Sequence, residues 1–532
     1  MAFGYFVVGG ALSVLFFGLV WGVGVEVLFG LCGYDASVMA VSVVFESYSL
    51  LCLMMLFICS AIVLPFVFHY MGGYRGGVIL YLLILVFIFV MAGLMVSNNI
   101  LATLLGWEYL GLVSYLLILF LGTLSSVRAS LVTLVASRFG DVSLFVVLCL
   151  FGGFYNEMGG LWFSVCVLLV VLTKSACFPF TSWLLEAMRA PTPVSCLVHS
   201  STLVAAGVWF CVRYGNLFSG GVKAVLLLCA VLTIILTALS ALYFVDLKKL
   251  VALSTCNNIS WCLLCYCLGD TFLCTMFLVT HGVSKCLLFM SVGDLMSSSG
   301  GSQGSKGVYL CRYTGVYSCL VHLVLLCSLC GLPFMGVFIT KHVLASYSAS
   351  AGSGFLYFLV CSGVVLSFAY SYRFAFLLLD LVGGLSLGIL CGFSIYGFMG
   401  VVPLVINYVG SYCLCGFEES VSVFWGVVFL FFYIHLLGFL VGAVFYLYAF
   451  RGLGLWGFIV GGCEVFVGLM YSLYAILCDL CYFSFYRWEV GVTEGLSKWF
   501  EVWGRSICFL ITLGCVLVGV LWSVGLLYLL WF

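Results

Sequence analysis

Long apolar runs, each ended by a charge, a glycine or a serine, recur from one end of the chain to the other. A run of about twenty apolar residues is long enough to cross a bilayer as a helix, and interruptions of this kind mark its ends. The pattern predicts spans near 5–30, 44–68, 77–97, 99–121, 128–151, 160–178, 192–213, 222–244, 249–268, 270–296, 312–345, 354–380, 385–409, 420–448, 455–478 and 506–530. Very short connections join neighbouring spans, so they pack as one bundle. The short alternating strands of a membrane β-barrel are absent from the pattern. The predicted fold class is therefore an all-α polytopic membrane protein. The longest polar stretch, "SSSGGSQGSKG" (297–307), has the composition of a flexible loop. The segment 479–505 mixes aromatics with charges of both signs and reads as an interfacial, lateral helix before a terminal anchor at 506–532.

Composition strengthens this picture. Of 532 residues, 66% are hydrophobic and 7% charged, too few to surface a soluble protein of this size. The N-terminal run lacks a basic flank and exceeds the apolar core of a secretory signal, so it is expected to be the first span. Net charge is zero, which offers nucleic acid no basic patch. The 28 cysteines lie mostly singly in apolar runs and read as small buried hydrophobes rather than metal ligands. Abundant Val, Gly, Phe, Leu, Cys and Trp, with a single Gln, fit a small organellar genome with a skewed strand.

Charge inside the apolar runs carries the chemistry. A charge at mid-bilayer costs about 2.5–3.5 kcal/mol even on the most lenient scale, so each one calls for a reason. Arg75, Arg128, Lys223, Asp246, Lys248, Lys249, Lys306 and Arg312 fall at predicted loops and are read as solvated. Glu108 lies within "NNILATLLGWEYLGLVSYLLILF" (98–120), where it serves either as a proton-exchanging carboxyl or as one satisfied by a neighbouring helix. Lys174 sits in "VLLVVLTKSACFPF" (167–180), ahead of Pro179, which removes a backbone donor and frees a carbonyl for water. Ser195, His199 and Thr202 fall at i, i+4 and i+7, the spacing of one polar helical stripe suited to a proton relay. His281 and Lys285 share a face at i, i+4, with no further ligand at metal spacing to suggest zinc. Lys341 follows "GLPF" (331–334), with His342 beside it. Asp141, three residues after Arg138, is open to two roles, a local ion pair at a span end or a group beside the proton path.

The two prolines, one near each central lysine, suggest broken helices in two internal halves, 77–213 and 222–380. Flanking them would be N-terminal transmembrane helices (1–76) and C-terminal ones (381–478). A row of titratable groups separated by helix breaks suits proton hopping through a membrane. None forms a nucleophile–base–orienter set, no phosphate-cradling glycine loop opens a helix, and no haem or iron–sulfur ligand pattern is present.

"LLGWEYLGLVSYLLI" (104–118) and "KSACFPFTSWLLEAMRAPTPVSCLVHSSTLVAAGV" (174–208) closely resemble signatures of the subunit-5 family of NADH dehydrogenase, the distal antiporter-like membrane subunits of respiratory complex I. "DLKKLVALST" (246–255), "HGVSKCLLFM" (281–290), "GLPFMGVFITK" (331–341) and "YSYRFAF" (370–376) extend the resemblance over roughly 40–380. It implies an antiporter-like bundle of two inverted five-helix repeats, with a lateral helix and a terminal anchor. It implies a glutamate–lysine pair at Glu108 and Lys174, a bridging histidine at His199, a central relay at His281 and Lys285, and an exit-side lysine at Lys341. The implied function is proton translocation in the mitochondrial inner membrane, driven by quinone reduction elsewhere in the complex. NADH, FMN, iron–sulfur clusters and ubiquinone would belong to partner subunits and none to this chain. Its own partners would be other membrane-arm subunits and lipids. The chain departs from the family at Phe277, where a second histidine is usual, at His342, where an aspartate is usual, and at the Ser/Gly loop, where a polar motif is usual. One N-terminal span fewer than usual is also expected. A sodium/proton antiporter subunit and a non-pumping structural subunit remain as rival functions.

Overall fold

A computed structural model describes residues 26–29, 41–72, 76–152, 160–299, 301, 303–305, 316–332, 335–350, 354–379, 425–448, 465–485 and 493–504. The expected spans at 385–409 and 506–530, most of that at 5–30, and Arg75, Lys306, Arg312 and Pro333 lie outside them. The elements are β1 (Glu26–Phe29), β2 (Val41–Val44), α1 (Ser47–Met71), α2 (Gly77–Val96), α3 (Ile100–Leu119), α4 (Leu124–Gly152), α5 (Leu161–Lys174), α6 (Ser182–Ala187), α7 (Thr192–Arg213), α8 (Gly220–Ala241), α9 (Leu247–Cys267), α10 (Thr271–Ser298), α11 (Val316–Cys330), α12 (Phe338–Ser350), α13 (Gly354–Leu379), α14 (Trp425–Tyr448) and α15 (Val465–Phe485). Among the described residues, nine helices are long and apolar enough to cross a membrane. Among the described residues the fold is all-α apart from one short antiparallel pair, β1 with β2, in register Glu26↔Val44 to Phe29↔Val41. That pair corrects the expected span at its C-terminal end. Apolar runs do not by themselves distinguish strand from helix, and the β-branched and aromatic residues of "EVLF" and "VSVV" favour the pleated form.

Residues 1–466 form one compact unit and 467–532 another. In the second unit, α15 runs unbroken through Asp479, so no element boundary falls at the expected start of the interfacial segment. Residues 493–504 are helical and expose Leu496, Trp499, Phe500 and Trp503.

In the first unit, two successive sets of five spans follow α1. The first is α2, α3, α4, α5 with α6, and α7; the second is α8, α9, α10, α11 with α12, and α13. The fourth span of each set is broken, and both breaks have the same local cause. Ala176 takes a left-handed conformation (φ 52°) and the Cys177 amide bonds back to the Leu172 carbonyl at 3.1 Å. Gly331 does the same (φ 86°), with the Leu332 amide on the Cys327 carbonyl at 3.2 Å. This is the closing bond of a Schellman cap, which ends a helix while satisfying its last carbonyls, with proline typically just beyond. Pro179 thus lies in the connector after α5 rather than inside a helix, which corrects its expected role as the breaker.

α7, α9 and α10 are the core, with 100%, 94% and 89% of their apolar windows buried, whereas α2 and α4 are 39% buried and form the outer wall. Small residues permit the close approaches. Gly282 of α10 lies against Met55 of α1, Gly207 of α7 against Ser175, and Gly140 of α4 against Thr173 of α5. α1 is tied at both ends. Glu46, which caps it, pairs with Arg213 at 2.5 Å, and His69 meets Asp294 at 3.0 Å.

A Cβ at Gly140 would run into the Thr173 hydroxyl, while one at Gly93 meets open space. Gly140→Ala should therefore lower stability by about 1–3 kcal/mol, the usual cost of overpacking, with Gly93→Ala as the tolerated control. Thermal unfolding in detergent tests this, and equal stability of the two variants would rule out so close an α4–α5 approach.

Candidate functional site

Among the described residues four lysines and three histidines are buried, His322 of α11 with His199 and His281, and each cation reaches its place by a different local route. Lys174 is the last residue of α5, just before the cap, and its side chain is 1% exposed. Its ammonium donates to the Trp107 carbonyl at 3.2 Å, stands 5.3 Å from the Trp107 ring, and lies 3.5 Å from Asp141 Oδ1. Gly111 lies beside the pair, where a Cβ would make ordinary contact with Asp141 Oδ2 and Lys174 Nζ.

Asp141, itself 1% exposed, is thus the carboxylate paired with Lys174. Glu108, the expected partner, instead pairs with Arg138, whose guanidinium is also 3.5 Å from Asp141 Oδ2. The order is Glu108–Arg138–Asp141–Lys174, with Arg138 shared between two carboxylates. Asp141 forms the local pair with Arg138, though inside α4 rather than at a span end, and it also faces the buried lysine. Glu108 and Arg138 are 32% and 41% exposed and line an open cavity of about 420 Å³ with Val142, Phe145 and Val146. Glu108 therefore opens onto the rim of the bundle rather than its interior.

Beside Lys174 lies a narrow cavity of about 10 Å³, room for about one water molecule, lined by Ser114, Thr133, Ser137, Thr173, Trp183 and His199. The Trp183 indole donates to the Thr173 carbonyl at 2.9 Å, which satisfies a carbonyl at the end of α5. His199 sits in a π-helical turn, Val198–Thr202, inside α7. That turn holds an extra residue, so Ser195, His199 and Thr202 do not form the regular stripe their spacing suggests. Ser195 and Thr202 spend their hydroxyls on the Thr192 and Leu197 carbonyls, at 2.9 Å each. The His199 ring nitrogens have no hydrogen-bond partner among the described residues. π-turns inside helices are frequent at functional sites.

Lys248 corrects the sequence reading. Expected in a solvated loop, it lies at the start of α9, is 3% exposed, and donates to the Ala190 and Met188 carbonyls at 2.8 and 3.5 Å. It is within electrostatic reach of His199. Its neighbour Lys249 is the exposed one, pairing with Asp246 at 3.9 Å. The signal available in the sequence was that no charged residue follows this lysine pair until Asp270, which places one of the two against the core.

Lys285 donates to Ser254 Oγ and, at 3.4 Å, to the Val251 carbonyl, both on α9. His281 is fully buried, without a partner for either ring nitrogen among the described residues, and feels the charges of Lys285 and Lys341. Phe277, where the resemblance implies a second histidine, is packed at 0% exposure. Lys341 lies in α12, after the second break, and donates to the Cys330 carbonyl at 3.0 Å and to Ser367 Oγ at 3.1 Å. The Trp261 and Phe368 rings flank it at 5.9 and 5.8 Å.

The family model "NADH:quinone oxidoreductase/Mrp antiporter, TM" matches residues 97–367, the stretch that holds every one of these groups. NADH-ubiquinone oxidoreductase chain 5 of Aedes aegypti is 34% identical over 351 residues, covering 62% of this chain and 60% of that one. That of Caenorhabditis elegans is 35% identical over 332 residues, covering 61% and 63%. That of Anopheles arabiensis is 37% identical over 281 residues, covering 49% and 72%. The chain thus spans about 60% of the length of the first of these relatives. Among solved structures, the Mrp complex from Dietzia sp. DQ12-45-1b superposes with a TM-score of 0.69 at 21% identity, over 92% of this chain and 60% of that one. The archaeal membrane-bound sulfane sulfur reductase gives 0.66 at 18% identity, over 83% and 93%. At such identities these two establish the fold alone.

Removing one partner of a buried ion pair costs about 3–5 kcal/mol. Asp141→Leu should destabilise on that scale, and adding Lys174→Met should recover part of the loss, with a coupling of about 1 kcal/mol or more in a double-mutant cycle. The cycle pairing Glu108→Gln with Lys174→Met should give the smaller coupling. The reverse order in thermal unfolding would restore Glu108 as the lysine's partner.

Proposed function

The chain belongs to the NADH:quinone oxidoreductase/Mrp antiporter transmembrane family, and on that premise we propose that it is a proton-translocating membrane subunit of respiratory complex I in the mitochondrial inner membrane. The observation that carries this is the series of buried titratable groups, Asp141, Lys174, His199, Lys248, His281, Lys285 and Lys341, running through both sets of five spans. Charged groups in a membrane interior are costly and mark ion or proton pathways.

The geometry suggests how the series is driven. Arg138 is shared by Glu108 and Asp141. While Arg138 stays with Glu108, Asp141 is free to hold the proton on Lys174. When Arg138 swings to Asp141, Lys174 loses its counter-charge and is disposed to pass its proton into the cavity toward His199. From there Lys248, then Lys285 and His281, lead to Lys341. Orphaned histidine nitrogens in such an interior are satisfied by water, which also bridges groups too far apart for a direct hop. Glu108, at the rim, is the member that a neighbouring subunit can reach.

The reaction that supplies energy, electron transfer from NADH to ubiquinone, takes place in partner subunits that hold the FMN and iron–sulfur clusters. This chain needs to bind none of these groups, and its own ligands are lipids and other membrane-arm subunits. The likeness to an Mrp complex favours a second reading, a subunit of a multi-protein sodium/proton antiporter. Purification of the native assembly separates the two, because a complex I subunit brings flavin and iron–sulfur proteins with it.

Lys174→Met should lower the protons moved per electron pair in vesicles that hold the intact assembly, with the amount of assembled complex unchanged. Unaltered pumping would leave the chain a structural subunit.

A further inference from the structure

α14 lies outside both sets of five spans, and it brings one more titratable side chain to the end of the series. Its packing on α13 is very close. A Cβ at Gly438 would collide with Phe368, and one at Gly442 with the Ala369 carbonyl and Tyr372. His435, Gly438 and Gly442 fall at i, i+3 and i+7, so the histidine shares the face that meets α13. Its ring is 4.0 Å from the Phe368 ring, tilted by 56°. The other side of that contact is Lys341, 5.8 Å from the Phe368 ring and bonded to Ser367, the residue before it. His435 feels the charge of Lys341. It is half-buried, while Phe432, Tyr433, Leu436 and Leu437 around it are exposed. His435 therefore stands between a fully buried lysine and the outer face of the bundle.

We propose that His435 takes the proton that leaves Lys341, which makes α14 part of the exit route. This rests on the proton-translocating function proposed above. An N–H bond of the Lys341 ammonium breaks, the proton passes by way of the Ser367 hydroxyl and bridging water, and an N–H bond forms on the imidazole. Lys341 is left as a neutral amine, ready to be recharged from Lys285, and the imidazolium gives its proton up at the exposed face. An imidazole suits the step because it can hold or release a proton near neutral pH.

His435→Phe keeps a ring on Phe368 and removes the proton site; His435→Gln serves as a second variant should the first assemble poorly. In vesicles with the intact assembly, both are expected to lower the protons moved per electron pair to the level of Lys341→Met. His435→Glu, which restores a titratable group, should recover part of the loss. If His435→Phe and His435→Gln pump as the unaltered assembly does while Lys341→Met fails, the inference is overturned and the proposed function stands. Equal losses in the Phe, Gln and Glu variants would reduce His435 to a packing residue. Normal pumping by Lys341→Met would overturn both the inference and the function it rests on.

Discussion

A lipid interior offers no partner to a backbone carbonyl or amide, so a helix can be broken there only where something else satisfies what the break exposes. Much of the candidate site follows from this constraint. At the first break, the Schellman bond takes the Leu172 carbonyl and the Trp183 indole takes that of Thr173. At the second, the freed Cys330 carbonyl is taken by Lys341. Lys248 sits on the carbonyls that follow the short α6, and Arg373 on those at the end of α8, with 3.0 Å to Ala241 and 2.9 Å to Phe244. Helix C-termini carry partial negative charge, which favours a cation there. The breaks and the buried cations thus solve each other's problem: each supplies what the other lacks in a medium without water.

Satisfying a cation with carbonyls has a consequence that pairing it with a carboxylate does not. A carbonyl is neutral, so it offers hydrogen bonds without holding the proton in place by charge. Lys248, Lys285 and Lys341 are bound by carbonyls and hydroxyls, while Lys174 alone among them also has a buried carboxylate, Asp141. The first lysine is therefore the point at which charge can be controlled, and the shared Arg138 links that control to Glu108 at the rim.

Much of this was legible in the sequence, for a physical reason. Apolar length and its interruptions are one-dimensional properties, and they placed most of α1 to α14 to within a few residues, though α6 fell in no expected span and α11 and α12 were expected as one. A lysine inside an apolar run must be accounted for wherever it falls, so Lys174, Lys285 and Lys341 stood out unaided. Pairing between helices is a property of packing. Which carboxylate meets Lys174 depends on the rotation of α4, and that is not written in the spacing of Glu108. The π-turn at His199 shifts register by one residue without any compositional mark. Lys248 was missed because a lysine pair beside an aspartate looks like a solvated turn, and only the third dimension separates Lys248 from Lys249. The β1–β2 pair was missed because apolar content alone does not tell strand from helix.

Among the described residues no carboxylate pairs with Lys285 or Lys341, and that bears on how the proposed relay would tolerate the family departures at Phe277 and His342. His281, Lys285 and Lys341 lie within electrostatic reach of one another. Like charges so placed titrate as a set, and a proton on one member disfavours a proton on the next. A set of this kind holds few protons at once, so each arrival tends to drive a departure. Such a relay depends on the number of sites less than on their mutual repulsion and on an outlet. A missing histidine at Phe277 removes one site from the set. A missing aspartate beside Lys341 removes a counter-charge that would have slowed the last proton's release. What the second half cannot lose is the spacing that keeps its three groups in one field, and the contacts of Lys285 with Val251 and Ser254 and of Lys341 with Cys330 and Ser367 hold it.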